Sequence, residues 1–303
     1  MRGVAIVLAL TVGVASAAAQ SADAGRGSLR PRAHDTGDGW SVQAAYEWHM
    51  DRLGYAFDTP SAIDTPFLVP HRYAQTYRLN NQWITTSARY RAAGSAMTTQ
   101  FGVTPTTTAR ATDVDTFFNP GDDIVTSGTE GDAEVRSWRL AQWSEGELGG
   151  VTLRVGYRYR RDNADFLPAD VIVTRSRPPS VSRRFTTDQE FTSSQVHEFV
   201  IDSARTFVAR GGWSVTGRLA ASPLLLGRLS TRLPQKYPGQ TIVGQARAAA
   251  FSARVEGART KGRVPLIVAI EWGKSASYGT SRSMSRDVFE LSVGLIRAAV
   301  SRP

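Results

Sequence analysis

The sequence predicts an all-β protein: a ten-stranded antiparallel transmembrane β-barrel. Three observations predict it. Long segments alternate apolar and polar residues with a period of two, and no window past the start carries the i, i+3, i+4, i+7 stripe of an amphipathic helix. The chain opens like an exported protein, yet no later run of about 18 apolar residues offers a membrane helix. The joints between the alternating segments are short and long in turn, as expected where tight turns lie on one side of a membrane and larger loops on the other.

The elements follow in chain order. Met1-Arg2 is a short basic start, Val4 to Ala19 is apolar and small, and Ala15-Ser16-Ala17 fits a small-x-small cleavage rule. Residues 1–19 therefore read as a cleaved signal peptide and 20–39 as a loose, polar N-terminal segment. The barrel is expected over 40–298, with 299–303 as a tail. In the first strand Trp40, Val42, Ala44, Tyr46, Trp48 and Met50 share one parity, with Ser41, Gln43, Glu47, His49 and Asp51 between them. Val151, Leu153, Val155, Tyr157 and Tyr159 repeat the pattern against Thr152, Arg154, Gly156, Arg158 and Arg160. Trp213, Val215, Leu219 and Leu225 make a further apolar face, as do Val268, Ile270 and Trp272. The expected strands are 40–57, 71–92, 96–114, 132–145, 151–166, 185–208, 213–231, 240–258, 263–278 and 287–298. Short joints fall at 146–150, 209–212 and 257–262. Longer ones fall at 59–70, 117–131, 166–184, 234–239 and 278–286.

Alternation alone also suits a soluble barrel or sandwich. Two features favour the membrane. Arginines occupy the polar face of long strands, where a wet lumen would hold them, and aromatics such as Trp40, Tyr73, Trp138, Trp213 and Trp272 lie near strand ends, as in an interface girdle. The expected reading sends the oily residues of every strand outward to lipid and their polar neighbours inward, with Glu47, His49, Arg154 and Arg158 in the lumen.

Composition closes other doors. The absence of Cys excludes a disulfide framework, a lipid anchor on Cys and thiol catalysis. The net charge of +9 is spread along strands rather than gathered on one element, and the chain is exported, so nucleic acid is not an expected partner. His34, His49, His71 and His197 form no metal-ligand spacing, there is no Gly-x-Ser-x-Gly and no phosphate loop, and no metal or cofactor is expected. One acidic cluster stands out: Asp113-Val114-Asp115, then Asn119-Pro120-Gly121-Asp122-Asp123. Asp113 and Asp115 share strand parity, so both carboxylates project from one side. Two close carboxylates repel, which raises one pKa and can build a general acid/base pair. An acidic turn is the plainer alternative.

The stretch Ala111-Thr112-Asp113-Val114-Asp115-Thr116-Phe117-Phe118-Asn119-Pro120-Gly121, Gly156-Tyr157 and Tyr237-Pro238-Gly239 resemble segments of the omptins. That resemblance implies a ten-stranded outer-membrane barrel, aspartyl-type proteolysis with Asp113 and Asp115 as the first catalytic pair, and contact with lipopolysaccharide. It also implies an Asp-x-His pair after the seventh strand. Aligned on Tyr237 and Pro238-Gly239, this chain has Pro234 and Lys236 there, so no general base stands at that position. The expected function is thus an outer-membrane barrel without the family's full catalytic set, acting as a surface scaffold, binder or narrow pore. An omptin-type endopeptidase cutting near basic residues and a soluble periplasmic β-protein are the alternatives.

Overall fold

The computed structural model describes residues 39–59, 71–186, 189–210, 212–234, 238–259, 266–277 and 282–300. The expected signal peptide, most of the N-terminal segment and Lys236 lie outside the described residues. Among the described residues there are thirteen strands and one short 3-10 turn. The strands are β1 (Gly39–Thr59), β2 (His71–Ala92), β3 (Ser95–Val103), β4 (Thr107–Asn119), β5 (Asp123–Leu148), β6 (Val151–Phe166), β7 (Asp170–Ser176), β8 (Pro179–Thr186), β9 (Glu190–Arg210), β10 (Trp213–Arg232), β11 (Ile242–Arg259), β12 (Leu266–Ser277) and β13 (Arg282–Val300).

All pairings are antiparallel, and they form a circuit. β1 pairs with β2, β2 with β3 and β4, and both of these with β5. The path continues through β6, β9, β10, β11 and β12 to β13, which returns to β1 over Trp40–Val300 to Phe57–Arg282. Closure removes the open edges that lipid would not tolerate.

The strand count differs from the ten expected, for two local reasons. The third expected strand is broken: β3 and β4 lie end to end between β2 and β5, separated by Thr104-Pro105-Thr106, where Pro105 has no N–H to give a ladder. The joint expected at 166–184 holds the β7–β8 hairpin, which pairs with β5 at Val125–Arg175 to Thr129–Val171, beyond the point where β6 ends opposite Ala133. The joint expected at 117–131 is also mostly strand. β4 and β5 pair right up to Asn119 and Asp123, with only a turn at Pro120–Asp122 between them.

The expected rule, oily residues outward on every strand, holds in only half of the barrel. Near the short turns, Trp40, Val42, Tyr46, Met50, Leu140, Leu153, Phe199, Ile201, Leu219, Phe251, Val255 and Ile270 face out, with Leu153 42% and Ile270 50% exposed. Glu47, His49, Arg160 and Asp202 are buried inside. Towards the long loops the pattern inverts. Leu53, Tyr55, Tyr77, Leu79, Val135 and Phe166 point inward, each no more than 3% exposed, and join Ala109, Ala111, Ala133, Leu229 and Ala248 in one core. Their outward neighbours are Arg52, Arg78, Asn80, Arg110, Glu130, Asp132, Glu134 and Arg136, all exposed.

The inversion is written along single strands. β5 carries outward Trp138 and Leu140 at one end and outward Glu130, Asp132 and Glu134 at the other. On β10 a bulge assists. The register slips between Ser222 and Leu225 at Pro223, so Leu225, expected on the face of Trp213 and Leu219, is 3% exposed inside the core. The apolar stretch on β6, Val151 to Tyr159, rises roughly 20 Å at about 3.4 Å per residue and a tilt near 40°, close to the height of a lipid-facing band.

Candidate functional site

The inward polar residues fall into two clusters with the core between them. The first occupies the short-turn half. Glu47 Oε2 lies 3.1 Å from His49 Nε2 and also accepts from Arg139, which donates to Thr85 Oγ1 at 3.0 Å. Arg160 bridges Asp51 (2.5 Å) and Asp162 (2.8 Å). Trp83, fully buried, is flanked by the guanidiniums of Arg139 and Arg160 at 4.7 and 5.2 Å from its ring centre. Arg154 donates to Asp202 at 2.6 Å and Arg158 to Glu198 at 3.1 Å, and both guanidiniums stand over Trp143. Trp143 lies flat on Gly156, where a Cβ would come within 2.4 Å of the indole, so only glycine fits beneath it. A cavity of about 590 Å³ runs through this half, from Ser275 and Ser222 to Ser41 and Arg259 near the short turns.

The second cluster sits at the long-loop mouth. Asp113 and Asp115 face inward from β4, opposite Gln75 and Tyr73 of β2. Asp115 Oδ1 is 2.7 Å from Nε2 of His71, whose ring stacks on Phe117 at 4.7 Å. Across the barrel, Glu190 at the start of β9 accepts from Gln75 Nε2 (2.7 Å), Tyr73 Oη (3.0 Å) and Thr192 Oγ1 (3.1 Å). Glu190 is 4% exposed. Burial pushes its carboxyl above the usual carboxylate range, and the neighbouring Asp115 pushes it the same way. The Tyr73 hydroxyl is pushed up by burial and by the charges of Asp113 and Glu190.

The two clusters differ in their counter-charges. In the short-turn half Glu47, Asp51, Asp162, Glu145, Glu198 and Asp202 each meet an arginine. At the mouth Asp115 meets an imidazole, and Glu190 meets neutral donors. The clusters do not converge. His49 opposes Asn81 while Asp113 opposes Gln75, so about 20 Å of strand separates them, filled by Leu53, Tyr55, Tyr77 and Leu79. Sequence reasoning singled out neither His71 nor Glu190 as a partner of Asp115. His71 is visible as the first residue after a long joint, but the β2–β4 register that sets it diagonally to Asp115 is not written in either strand alone. Among the described residues no group of three His, Asp or Glu side chains is arranged to hold a metal ion.

His71 and Asp115 have the geometry of a base and its orienting carboxylate, with a second carboxylate, Asp113, on the same strand face. Such a pair can take a proton from water or bind a cationic group.

Among solved structures, the chain superposes on the outer membrane protease OmpT from Escherichia coli with a TM-score of 0.62 and 11% sequence identity, over 89% of this chain and 99% of that one. The translocator domain of the autotransporter NalP from Neisseria meningitidis also matches, at a TM-score of 0.34 and 12% identity over 97% of this chain and 98% of that one. No family model matches the sequence, and no curated protein matches it. At these identities the OmpT likeness establishes the fold: an antiparallel β-barrel of the kind found in an outer-membrane protease.

Proposed function

We propose that this chain is an outer-membrane barrel that works at its outward mouth as a surface scaffold or binder and not as a conduit. The inversion of its faces carries the reading. An apolar exterior around a charged lumen suits lipid, whereas a polar exterior around an apolar core suits water. The short-turn half is then the membrane segment, and the long-loop half is a water-borne cylinder standing above it, its core sealing the lumen. In this reading the barrel has ten staves: β3 and β4 make one, and the β7–β8 hairpin is an appendage of the rim.

Cations follow the outer border of the apolar band. Arg52 opposes Arg78, which opposes Arg110, and on the far side Arg161, Arg228 and Arg247 face out at a similar level. Such a girdle fits the phosphates of an outer-leaflet lipid such as lipopolysaccharide. The test is reconstitution in a planar bilayer. A folded, heat-modifiable barrel is expected to give no conductance steps, and stepwise conductance would overturn the sealed reading.

A second reading, an endopeptidase acting near basic residues, is favoured by the 2.7 Å contact of His71 with Asp115 beside Asp113. In that reading His71 replaces the base missing at Lys236. Cleavage of a peptide with paired basic residues, lost in both Asp115→Asn and His71→Ala, would support it. Cleavage that survives both substitutions would remove the proposed roles.

A further inference from the structure

Among the described residues every strand but one pairs with at least two others. The exception is β8, which pairs with β7 alone, and the order of strands ends there. The side of β8 away from β7 therefore carries backbone N–H and C=O groups that no described strand pairs. An edge of this kind is a template for a further strand.

The edge is fixed in place. Arg175 Nε donates to Asp123 Oδ2 at 2.9 Å, the Arg177 N–H donates to Asp123 Oδ1 at 3.2 Å, and the Ile124 N–H donates to Ser176 Oγ at 2.7 Å. These contacts tie the hairpin to the turn between β4 and β5, so its conformation is prepared before any partner arrives.

A second observation lies on the outer face beside that edge. Much of this half shows water charged residues such as Arg110, Glu130 and Asp132. Here Phe118 of β4 opposes Ile124 of β5, Gly128 of β5 opposes Ile172 of β7, and Thr174 of β7 opposes Val181 of β8. These residues share the outward parity of Arg110, Glu130 and Asp132. Phe118 and Ile124 are exposed, Ile172 is 53% exposed and Val181 74%. An apolar patch shown to water next to an unpaired edge marks an interaction surface.

Charge selects the partner. Residues 170–186 hold four arginines against one aspartate. Two of the arginines, Arg183 and Arg184, lie in β8 itself, in register with Ile172 and Val171. A second copy of this chain would bring β8 against β8 and set these like charges together, which is destabilising. A strand that carries carboxylates meets the opposite sign.

We propose that the outer edge of β8 docks an extended, acidic segment of another polypeptide, added to the sheet as one more strand. Main-chain hydrogen bonds along β8 give the affinity, and alternate apolar side chains of the segment extend the patch of Ile172 and Val181. Its carboxylates answer the charge of Arg183 and Arg184. The inference rests on the reading of this barrel as a surface binder and names the chemistry of what it binds.

The experiment uses the full chain in detergent micelles at low ionic strength. The probe is a short dye-labelled peptide alternating Val and Glu. Its binding is read by fluorescence anisotropy, and hydrogen exchange of the chain locates it. Saturable binding is expected, with slowed exchange in β8. A peptide alternating Val and Lys, and the Val–Glu peptide with every backbone nitrogen methylated, are each expected to bind about tenfold more weakly. Arg183→Glu together with Arg184→Glu is expected to exchange the preference, so that the Val–Lys peptide binds better. Val181→Asp, at a position exposed enough to leave the fold alone, is expected to weaken the Val–Glu peptide about tenfold. It decides the matter if the double variant fails to show the folded form on a gel. Arg136→Glu, on the outer face away from the hairpin, is expected to change nothing. No saturable binding, equal binding of the methylated peptide, an unchanged preference in a folded double variant, binding untouched by Val181→Asp, or an equal loss in Arg136→Glu would each overturn the proposal. Self-association of the chain with β8 protected before any peptide is added would put a second copy at the edge and overturn it too. A barrel silent in a planar bilayer that binds no peptide keeps the sealed reading and loses this one, whereas a conducting barrel that binds the peptide does the reverse.

Discussion

The two halves of this barrel solve the same closure problem with opposite chemistry. In the short-turn half the exterior is apolar and the interior is a lattice of arginines and carboxylates around a cavity. In the long-loop half the exterior is charged and the interior is a dry core around Leu53, Tyr77, Leu79 and Phe166. Along β1–β2, β5–β6 and β6–β9 the backbone ladders run through both without a register shift. Side-chain parity, not backbone geometry, therefore decides which solvent each half meets. One strand can serve lipid at one end and water at the other simply by exchanging which parity is oily.

Substitutions in matching places separate the halves. The largest effects are expected where each interior is removed by the wrong route. Phe166→Ala opens a hole in the long-loop core and is expected to cost about 3–5 kcal/mol, read as the urea midpoint of the barrel in micelles. Arg160→Met takes a buried guanidinium away from Asp51 and Asp162 and is expected to cost about 3–5 kcal/mol in the same assay, since removing one partner of a buried pair is far worse than replacing it whole. If Phe166→Ala costs less than about 1 kcal/mol, the long-loop core is not the seal described here.

A smaller effect tests the exterior. Ile270→Arg, on the outer face of the short-turn half, is expected to cost about 2–4 kcal/mol in lipid bilayers. Thr108→Arg, on the outer face of the long-loop half, is expected to stay within about 0.5 kcal/mol. Equal costs at both positions would mean that one solvent surrounds the whole cylinder.

The smallest effect is a pH dependence at the mouth. The Glu190 carboxyl is raised above its ordinary value of 4.5, so the folded state holds that proton more tightly than the unfolded chain does. Its contribution is fully present below 4.5 and is lost as the pH rises through the raised folded value. The urea midpoint of the natural chain is expected to drift down over that window, and Glu190→Gln is expected to flatten the drift. An unchanged slope in the variant would show that this carboxyl does not titrate inside the core.

Much of the short-turn half is legible in the sequence. The run from Trp40 to Met50, the run from Val151 to Tyr159 and the set Val268, Ile270 and Trp272 announce their outward faces, because their parity is unbroken. The long-loop half was harder to read. Its strands carry small or aromatic residues inward, as at Ala109, Ala111 and Ala133, and charged residues of both signs outward, which resemble turns when met singly. For that reason the segment 117–131 looked like a loop although β4 and β5 pair through it. Leu225 leaves the expected face because the bulge at Pro223 shifts parity by one residue, and the proline marks the place of a bulge but not the size of its shift. At the mouth, Asp113 and Asp115 were visible as a motif, but their neighbours were not. His71 comes from the strand beside them, and Glu190 comes from β9 on the other side of the barrel.

The sequence by itself determined that the chain is all-β, that its strands are two-faced, and which residues on the first, sixth and twelfth strands turn outward, because alternation is a local property of an extended backbone. Only the tertiary structure decided the register between strands. Register is set by the sum of many cross-strand contacts around a closed ring, so it alone could bring His71 to Asp115, hold Glu190 against Tyr73 and Gln75, and set the β7–β8 hairpin against β5 with β8 at the end of the sheet.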